Sequence, residues 1–261
     1  MAEATAGAQD PGAGRVTTEV RGRVLVVRID REAKRNAIDP PITQGIGDAL
    51  DRLDDDPELW AGVLTGTATV FSAGTDMRAG MSSTERGGQY GVIKRRRSKP
   101  LVAAVEGYAH GGGMEVVLAC DLVVASTTAS FGLPEVKRSL VPTCAGMFRA
   151  PRALPRNVAN ELLLTGDPID AERAERLGFV NRLVEPGGAL DAAVALAESI
   201  CRNGPVALRE TMKVLDGLVV DDDATGWVLT EAAEQVIYAA DDTKEGVSAF
   251  FERREPRWTG R

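Results

Sequence analysis

Short apolar runs separated by turn residues characterise the first part of the chain. Residues 16–20 and 24–29 are rich in β-branched side chains and flank the glycine-containing turn Arg21-Gly22-Arg23, which predicts a β-hairpin. Apolar residues then recur at helical spacing over residues 42–53, after two prolines and before a run of aspartates. This pattern predicts a helix, because proline is well accommodated in a first turn. Residues 60–65 follow as another predicted strand.

The middle of the chain repeats a strand, a glycine-rich loop, a helix and a second strand. Residues 101–105 and 122–125 are apolar, and Gly111-Gly112-Gly113 opens a short helical segment between them. This alternation predicts an α/β body. Helical spacing recurs further along the chain in four segments, at residues 190–201, 205–218, 224–239 and 243–251. We therefore expect an α/β core over residues 16–187, followed by a helical C-terminal region over residues 188–261.

Composition and charge narrow the possible functions. A chain of 261 residues can bury one substantial core, and a net charge of −7 with 5% aromatic residues argues against nucleic-acid binding. Cys120, Cys144 and Cys201 lack the spacing of metal ligands and cannot all pair, so we expect a reducing, cytoplasmic compartment. Residues 1–15 lack the apolar centre of a signal peptide, which predicts a disordered tail. No apolar run is long enough to span a bilayer, so we expect no membrane partner.

Two glutamates each end a short motif that would suit a buried acid/base site. Glu115 ends the run His110-Gly111-Gly112-Gly113-Met114-Glu115, and Glu135 ends Ser130-Phe131-Gly132-Leu133-Pro134-Glu135. Two carboxyl groups at close range push their pKa values apart, so that one is ionised while the other keeps its proton. Such a pair can activate water with one member and deliver a proton to carbon with the other. The sequence therefore indicates addition or removal of water.

Two loops offer backbone amides to a developing negative charge. Residues 71–77 place small side chains after an apolar strand, and Gly111-Gly112-Gly113 opens a helix whose first amides are unpaired. One donor from each loop could hold a single oxygen at the positive end of the helix dipole. This arrangement suits a thioester carbonyl that becomes an enolate, because fixed amides in a dry site stabilise charge as it develops.

These motifs together resemble the crotonase, or enoyl-CoA hydratase, superfamily. The residues that carry the resemblance are Phe-Ser-Ala-Gly-Thr-Asp-Met at 71–77, Gly-Gly-Gly-Met-Glu at 111–115 and Phe-Gly-Leu-Pro-Glu at 131–135. Similar segments extend it over residues 16–258. The resemblance implies a ClpP/crotonase-like α/β spiral of β-β-α repeats, with a helical C-terminal region that serves oligomerisation and closes the site. It also implies a homotrimer or a dimer of trimers.

The resemblance implies a role for each matched position. The amides of Thr75 and Gly112 would form the oxyanion hole, Glu135 would donate a proton to carbon, and Glu115 would help to activate water. The residues implied for substrate and coenzyme A binding are Arg35, Ala37, Ala73, Thr75, Asp76, Met77, Arg78 and Gly112. Arg35 and the basic cluster at residues 94–99 are candidates for the phosphates, although a solvated helix end is an alternative interpretation of the cluster. Residues 80–93 are expected to contribute to the acyl pocket.

The activity implied is that of an enoyl-CoA hydratase, with reversible syn addition of water to a trans-2-enoyl-CoA thioester, as in fatty-acid β-oxidation. No metal or redox cofactor is implied, since coenzyme A belongs to the substrate. One alternative is a sibling enzyme, either an enoyl-CoA isomerase or a carnitinyl-CoA dehydratase, which residues 131–137 and the C-terminal residues 252–261 resemble. The alternative of another class is a non-catalytic protein that binds acyl-CoA or RNA.

Several residues near the motifs have a structural interpretation. His110 is expected to be a hydrogen-bonding spacer, Asp121 and Glu106 structural carboxylates, and Cys144 a packing residue without a histidine partner. Cys144 lies in the segment Thr143-Cys144-Ala145-Gly146, where the family has a segment richer in glycine. This departure puts the placement of water beside Glu135 in question.

Overall fold

The structure, a computed structural model, describes residues 14–259, without the side chains of residues 219–222. All but the last two residues of the predicted disordered tail lie outside the described residues. Within the described range the strands are β1 (Arg15–Arg21), β2 (Val24–Asp30), β3 (Ala61–Thr65), β4 (Ser83–Thr84), β5 (Gly88–Gln89), β6 (Leu101–Val105), β7 (Tyr108–His110), β8 (Leu122–Ser126), β9 (Ser130–Gly132), β10 (Ile169–Asp170) and β11 (Arg182–Val184).

The helices alternate with these strands and then follow them. The α-helices of the described residues are α1 (Pro40–Asp55), α2 (Gly112–Leu118), α3 (Gly146–Ala153), α4 (Arg156–Thr165), α5 (Ala171–Arg176), α6 (Ala189–Cys201), α7 (Pro205–Ala239) and α8 (Asp241–Glu252). Two short 3₁₀ helices cover Glu32–Lys34 and Pro134–Arg138. No helix of the described residues combines the length and the apolar character that a membrane span requires.

The main sheet has six strands in the order β1-β2-β3-β6-β8-β11. The predicted hairpin is confirmed, since β1 pairs antiparallel with β2 and Arg21 lies opposite Val24. The strands from β2 onward pair in parallel. Strands β3 and β6 are buried along their whole length, as expected for parallel strands that are covered on both faces. The predicted α/β class is therefore confirmed.

Alternate side chains of β2 enter two different cores, because successive residues of a strand point to opposite faces. Leu25, Val27 and Ile29 lie in the larger core, which includes the apolar face of α1. Val24 and Val26 lie in a second core, between the sheet and α6. Helix α1 begins where the sequence predicts, with the Asp39 side chain accepting a hydrogen bond from the Ile42 amide at 3.0 Å.

A second, three-stranded sheet sets the positions of both glutamate motifs. Its order is β10-β9-β7, and β7 pairs in parallel with β9 so that His110 lies opposite Gly132. The Gly111 amide then donates to the Gly132 carbonyl at 2.9 Å. Because both motifs leave this sheet at the same register, the residues that follow, which include Glu115 and Glu135, emerge on the same side of the molecule.

The C-terminal helices differ from the prediction at one point. Residues 205–218 and 224–239 were expected to form two helices, but they belong to the single helix α7 of 35 residues. The separation is wrong because residues 219–223 contain neither glycine nor proline, so nothing interrupts the backbone hydrogen bonds of the helix. Helices α3, α4 and α5, between the sheet and the C-terminal region, were not predicted.

Candidate active site

Glu115 projects from the first turn of α2 and is almost completely buried. Its Oε1 atom accepts hydrogen bonds from the Cys144 amide at 2.7 Å and the Gly146 amide at 2.9 Å. These donors belong to the segment that departs from the glycine-rich pattern of the family. The segment therefore holds Glu115 through these two amides, and it leaves no room for a side chain at residue 146, where a Cβ atom would lie 2.8 Å from Pro142 Cβ and 3.0 Å from Glu115 Oε1.

Glu135 lies in the 3₁₀ helix Pro134–Arg138 and approaches the glycine turn from the other side. A methyl group at Gly111 would lie 3.1 Å from its Oε1 atom, so the carboxyl group rests directly over that turn. Its Oε2 atom is buried without a hydrogen-bond partner in the described part of the chain. An unpaired buried carboxyl oxygen is costly, and the cost is smallest when the group is protonated and uncharged.

Burial raises the pKa of both carboxyl groups above the usual range. For Glu115, the amides of Gly146 and Cys144 oppose this effect, since they stabilise the ionised form. For Glu135, the nearby charge of Glu115 raises the pKa further. The surroundings thus favour an ionised Glu115 beside a protonated Glu135. Such a pair can accept a proton at one member and donate a proton at the other.

The two predicted oxyanion-hole residues are brought together by contact between their loops. Thr75 pairs with Ile38 in a parallel bridge, in which the Ile38 amide donates to the Gly74 carbonyl at 2.7 Å and the Asp76 amide donates to Ile38 at 2.9 Å. In this pattern the Thr75 amide points away from Ile38. A Cβ atom at Gly74 would lie only 2.8 Å from the Gly112 nitrogen. The two loops are therefore in direct contact beside the predicted amide donors.

Tyr90 is a residue of this site that the sequence interpretation did not identify. Its hydroxyl lies 2.6 Å from Oγ1 of Thr75, and a methyl group at Gly112 would lie 2.5 Å from the same hydroxyl. Only the inclusion of residues 80–93 in the expected acyl pocket pointed towards this region. A lone tyrosine among glycines and charged residues gives no sequence signal of its own.

The loops predicted to bind coenzyme A lie side by side, because the Ala73 amide donates to the Arg35 carbonyl at 3.0 Å. Arg35 and Arg78 are exposed, whereas Ala37, Ala73 and Met77 are partly buried. The Asp76 carboxylate accepts from Arg31 Nη1 at 2.7 Å and from the Arg78 amide at 3.0 Å. The Asp76 side chain thus holds its own loop in shape, which leaves the backbone of the loop to face a ligand.

The basic cluster at residues 94–99 is mainly structural. Arg95 is buried and forms ion pairs with Asp51 at 2.6 Å and Asp54 at 2.9 Å. Arg97 pairs with Asp121, and Lys99 donates to the carbonyls of Leu53 and Asp56, near the end of α1. The interpretation as a solvated helix end is therefore wrong for Arg95, Arg97 and Lys99. These three side chains are buried or partly buried and bind partners within the protein.

The residues given structural interpretations behave as expected. His110 Nε2 lies 3.0 Å from the Ser130 hydroxyl. Asp121 accepts from the Leu101 amide at 2.7 Å, and Glu106 accepts from the Ala189 amide at 3.0 Å, at the start of α6. The Cys144 side chain is buried, with its sulfur 3.2 Å from that of Met81. What the sequence did not reveal is that the amide of Cys144 contacts the catalytic candidate Glu115.

Helix α8 packs against the 3₁₀ helix that carries Glu135. The Thr243 hydroxyl donates to the Ser139 carbonyl at 3.1 Å, just beyond that helix. The guanidinium of Arg138 lies 4.3 Å from the centre of the Phe250 ring, and that of Arg78 lies 5.5 Å from the centre of the Phe251 ring. The C-terminal region thus covers elements on which two of the predicted site segments lie.

Comparisons with known proteins match nearly the whole chain. The sequence model of the family described as Enoyl-CoA hydratase/isomerase matches residues 19–261. An (E)-benzylidenesuccinyl-CoA hydratase from Thauera aromatica is 38% identical, over 94% of this chain and 99% of the relative. The crystal structure of a carnitinyl-CoA hydratase from Mycobacterium avium is 39% identical, with a TM-score of 0.90 over 97% of this chain and 100% of the other. That of an enoyl-CoA hydratase from Mycobacterium tuberculosis is 44% identical, with a TM-score of 0.75 over 95% and 99%.

Proposed function

Because the chain belongs to the Enoyl-CoA hydratase/isomerase family and is an enzyme of the hydro-lyase type, we propose that it adds water reversibly to a trans-2-enoyl-CoA thioester. The crotonase fold expected from the motifs is confirmed by the family match and the related structures. One observation carries the proposal: two buried carboxyl groups have opposite surroundings, with two amide donors on Glu115 and an unpartnered oxygen on Glu135.

In the proposed reaction, the amides of Thr75 and Gly112 bind the thioester oxygen. Glu115 accepts a proton from water while the water oxygen bonds to the β-carbon, and the π electrons move onto the thioester oxygen as an enolate. The two amides stabilise that charge, an interaction for which loss of one donor typically costs about 10²–10³-fold in kcat. The enolate then collapses and its α-carbon takes the proton of Glu135.

The proton balance closes through the same two groups. One O–H bond of water breaks, one C–O bond and one C–H bond form, and the enzyme is left with a protonated Glu115 and an ionised Glu135. Exchange of protons with solvent restores the starting state. Proton transfer and charge stabilisation are supplied by side chains and amides, so the proposed reaction uses no metal or redox cofactor.

The rest of the proposal concerns coenzyme A binding, the oligomeric state and the cellular compartment. Coenzyme A would lie along the loop of Arg35 and Ala37 and along residues 73–78, with the C-terminal region closing the site. The chain would assemble as a homotrimer or a dimer of trimers. It would work in the cytoplasm on fatty acyl thioesters of the kind formed in β-oxidation. The large exposed apolar side chains of α7 support the assembly.

The test follows the loss of conjugated-enoyl absorbance with short and medium trans-2-enoyl-CoA substrates. We expect Glu115→Gln and Glu135→Gln each to lower kcat by about 10²–10⁴-fold, with CoA-ester binding retained. Glu172→Gln, a change at an exposed residue of α5, is the matched control and should keep the wild-type rate. Wild-type inactivity at every chain length, with CoA esters still bound, would overturn the hydratase proposal.

A second candidate is the dehydration of a carnitinyl-CoA thioester. It is favoured by the likeness to the carnitinyl-CoA hydratase structure and uses the same carboxyl pair in the reverse direction. Assays with carnitinyl-CoA and with crotonyl-CoA, run side by side, separate the two candidates by the ratio of their kcat/KM values. An isomerase would instead move the double bond of a trans-3-enoyl-CoA without consuming water.

A further inference from the structure

We propose that Tyr90 is a positioning residue for the oxyanion hole, which it braces by a hydrogen bond to Thr75 and by ring contact with Gly112. The inference rests on the proposed function, because it assigns Thr75 and Gly112 as the two amide donors. Tyr90 touches both of them. Its proposed role is to keep the two donors at the separation that one enolate oxygen needs.

The contacts to the two donor residues differ in kind. The Tyr90 hydroxyl and Thr75 Oγ1 are 2.6 Å apart, so one donates a hydrogen bond to the other. At Gly112, a Cβ atom would lie 2.5 Å from the Tyr90 hydroxyl and 2.7 Å from the ring carbon that bears it. The ring therefore occupies the space that a side chain at residue 112 would need. One contact fixes a side-chain rotamer, and the other limits the approach of a backbone segment.

The conformation of Tyr90 is fixed by its own contacts, as the role of a positioning residue requires. Its side chain lies in the main core, and its amide donates to the Ser82 carbonyl at 3.2 Å. Its backbone is left-handed, with φ of 54°, a conformation that bulky residues seldom adopt without compensation from their surroundings. Burial raises the pKa of Tyr90 well above its usual value, so the hydroxyl keeps its proton over the working pH range.

Loss of the hydrogen bond should affect the transition state more than the bound substrate. The Thr75 side chain would be free to change rotamer, and its amide would lose the restraint that aims it at the developing charge. Interactions that strengthen only in the transition state appear in kcat rather than KM. We expect Tyr90→Phe, which keeps the ring, to lower kcat about tenfold and to change KM by less than about twofold, since the donor is misplaced but not removed.

The experiment uses the full-length chain and removes the same hydrogen bond from either end. Tyr90→Phe and Thr75→Val are compared singly and together, with Tyr108→Phe as a matched control on β7. The first readout is kcat and KM for crotonyl-CoA. The second is the absorbance shift of bound 4-dimethylaminocinnamoyl-CoA, whose spectrum moves to longer wavelength when amide donors polarise its thioester carbonyl. Thermal unfolding identifies any variant that fails to fold.

The expected result is a reduced red shift and a reduced kcat in both single variants, with the double variant no worse than the more impaired single variant, because both changes remove the same hydrogen bond between Tyr90 and Thr75. Tyr108→Phe should match the wild-type chain. If the wild-type chain shows the red shift and Tyr90→Phe and Thr75→Val show the same shift, the proposed role of Tyr90 is wrong. The proposed oxyanion hole would be unaffected by that result. Absence of the shift in the wild-type chain would instead overturn the oxyanion hole, and the role of Tyr90 with it.

Discussion

The α/β body and the long helix α7 use apolar residues in opposite ways. In the body, strands β3 and β6 are buried from end to end, and the side chains of β2 fill two cores. Among the side chains of α7 that the structure describes, eight large apolar ones are each more than half exposed, namely Val206, Val214, Leu215, Leu218, Val228, Leu229, Val236 and Tyr238. The apolar residues of these strands are covered by the body's own fold. The described residues leave those of α7 uncovered, and the proposed assembly would cover them.

A buried charge cluster and an aromatic contact together fasten α7 to the body. Asp223 of α7 is buried and pairs with Arg149 at 2.8 Å and with Arg152, both on α3. The neighbouring aromatic contact, between Phe148 and Trp227, has its ring centres 5.1 Å apart. Because α3 begins at Gly146, whose amide binds Glu115, the same short helix connects α7 with the candidate catalytic carboxylate.

The largest expected effect tests whether the core of the α/β body is stable without contacts between chains. Leu50 of α1 is completely buried in the main core. We expect Leu50→Ala to lower the free energy of unfolding by about 2–5 kcal/mol, because the change removes buried methyl groups and leaves a cavity. Urea denaturation at two protein concentrations measures it. If the core supplies this stability within each chain, the loss should be the same at both concentrations, and a loss below 1 kcal/mol would contradict the comparison.

The next effect concerns the charged link between the two regions. We expect Asp223→Ala to lower the free energy of unfolding by about 2–4 kcal/mol, because Arg149 and Arg152 would keep partly buried charges without their partner. Asp216→Ala is the matched control on the same helix. Asp216 pairs with the exposed Arg96 at 3.0 Å, and such surface pairs contribute about 0–1 kcal/mol. Equal losses for the two variants would show that the buried triad does not fasten α7.

The third effect concerns the Oε2 atom of Glu135, which is buried without a hydrogen-bond partner in the described part of the chain. Its folded-state pKa is raised by burial, so the folded chain holds this proton to a higher pH than the unfolded chain does. The associated stability is present below the unfolded pKa and is lost as the pH rises through the folded pKa. Glu135→Gln removes this titration. We expect the free energy of unfolding of the variant, relative to that of the wild-type chain, to rise by about 1–3 kcal/mol from pH 5 to pH 9. Urea denaturation across this pH range measures the difference. Parallel pH curves for the two chains would contradict the assignment.

The smallest expected effect on the single chain lies on α7. Leu218 is exposed, so Leu218→Ala should change the free energy of unfolding by less than about 0.5 kcal/mol at low protein concentration. Leu218→Lys should prevent association, because it places a charge on the face that we propose another copy covers. Sedimentation velocity checks this directly. A wild-type chain that stays monomeric at high concentration would show that the apolar face of α7 serves some other purpose.

The sequence predicted best those features that depend on side-chain pattern. The β1–β2 hairpin follows from β-branched runs around Gly22, and helix α1 from apolar spacing with a stop at the aspartates. Glu115 and Glu135 were identified because each ends a motif of glycine or apolar bulk, and the structure places both on one side of the second sheet. Local pattern was enough here, because each feature is fixed by residues close together in the chain.

Features that depend on backbone atoms or on distant contacts could not be predicted from the local side-chain pattern. The amides of Cys144 and Gly146 bind Glu115 across about 30 residues of sequence, and an amide is the same atom whatever side chain it carries. Arg95 looks like a solvated charge until the fold brings Asp51 and Asp54 to it. The role inferred for Tyr90 depends in the same way on contacts with residues 75 and 112.

The two amide hydrogen bonds to Glu115 have an evolutionary consequence. A carboxylate held by side chains ties its own chemistry to the identity of those side chains, so any change there alters the reaction. Here the amide of residue 144 can keep its hydrogen bond to Glu115 whatever side chain that residue carries, whereas position 146 requires glycine because a Cβ atom there would lie 2.8 Å from Pro142 Cβ. A gene of this kind can change residue 144 without first losing the role in activating water that we propose for Glu115.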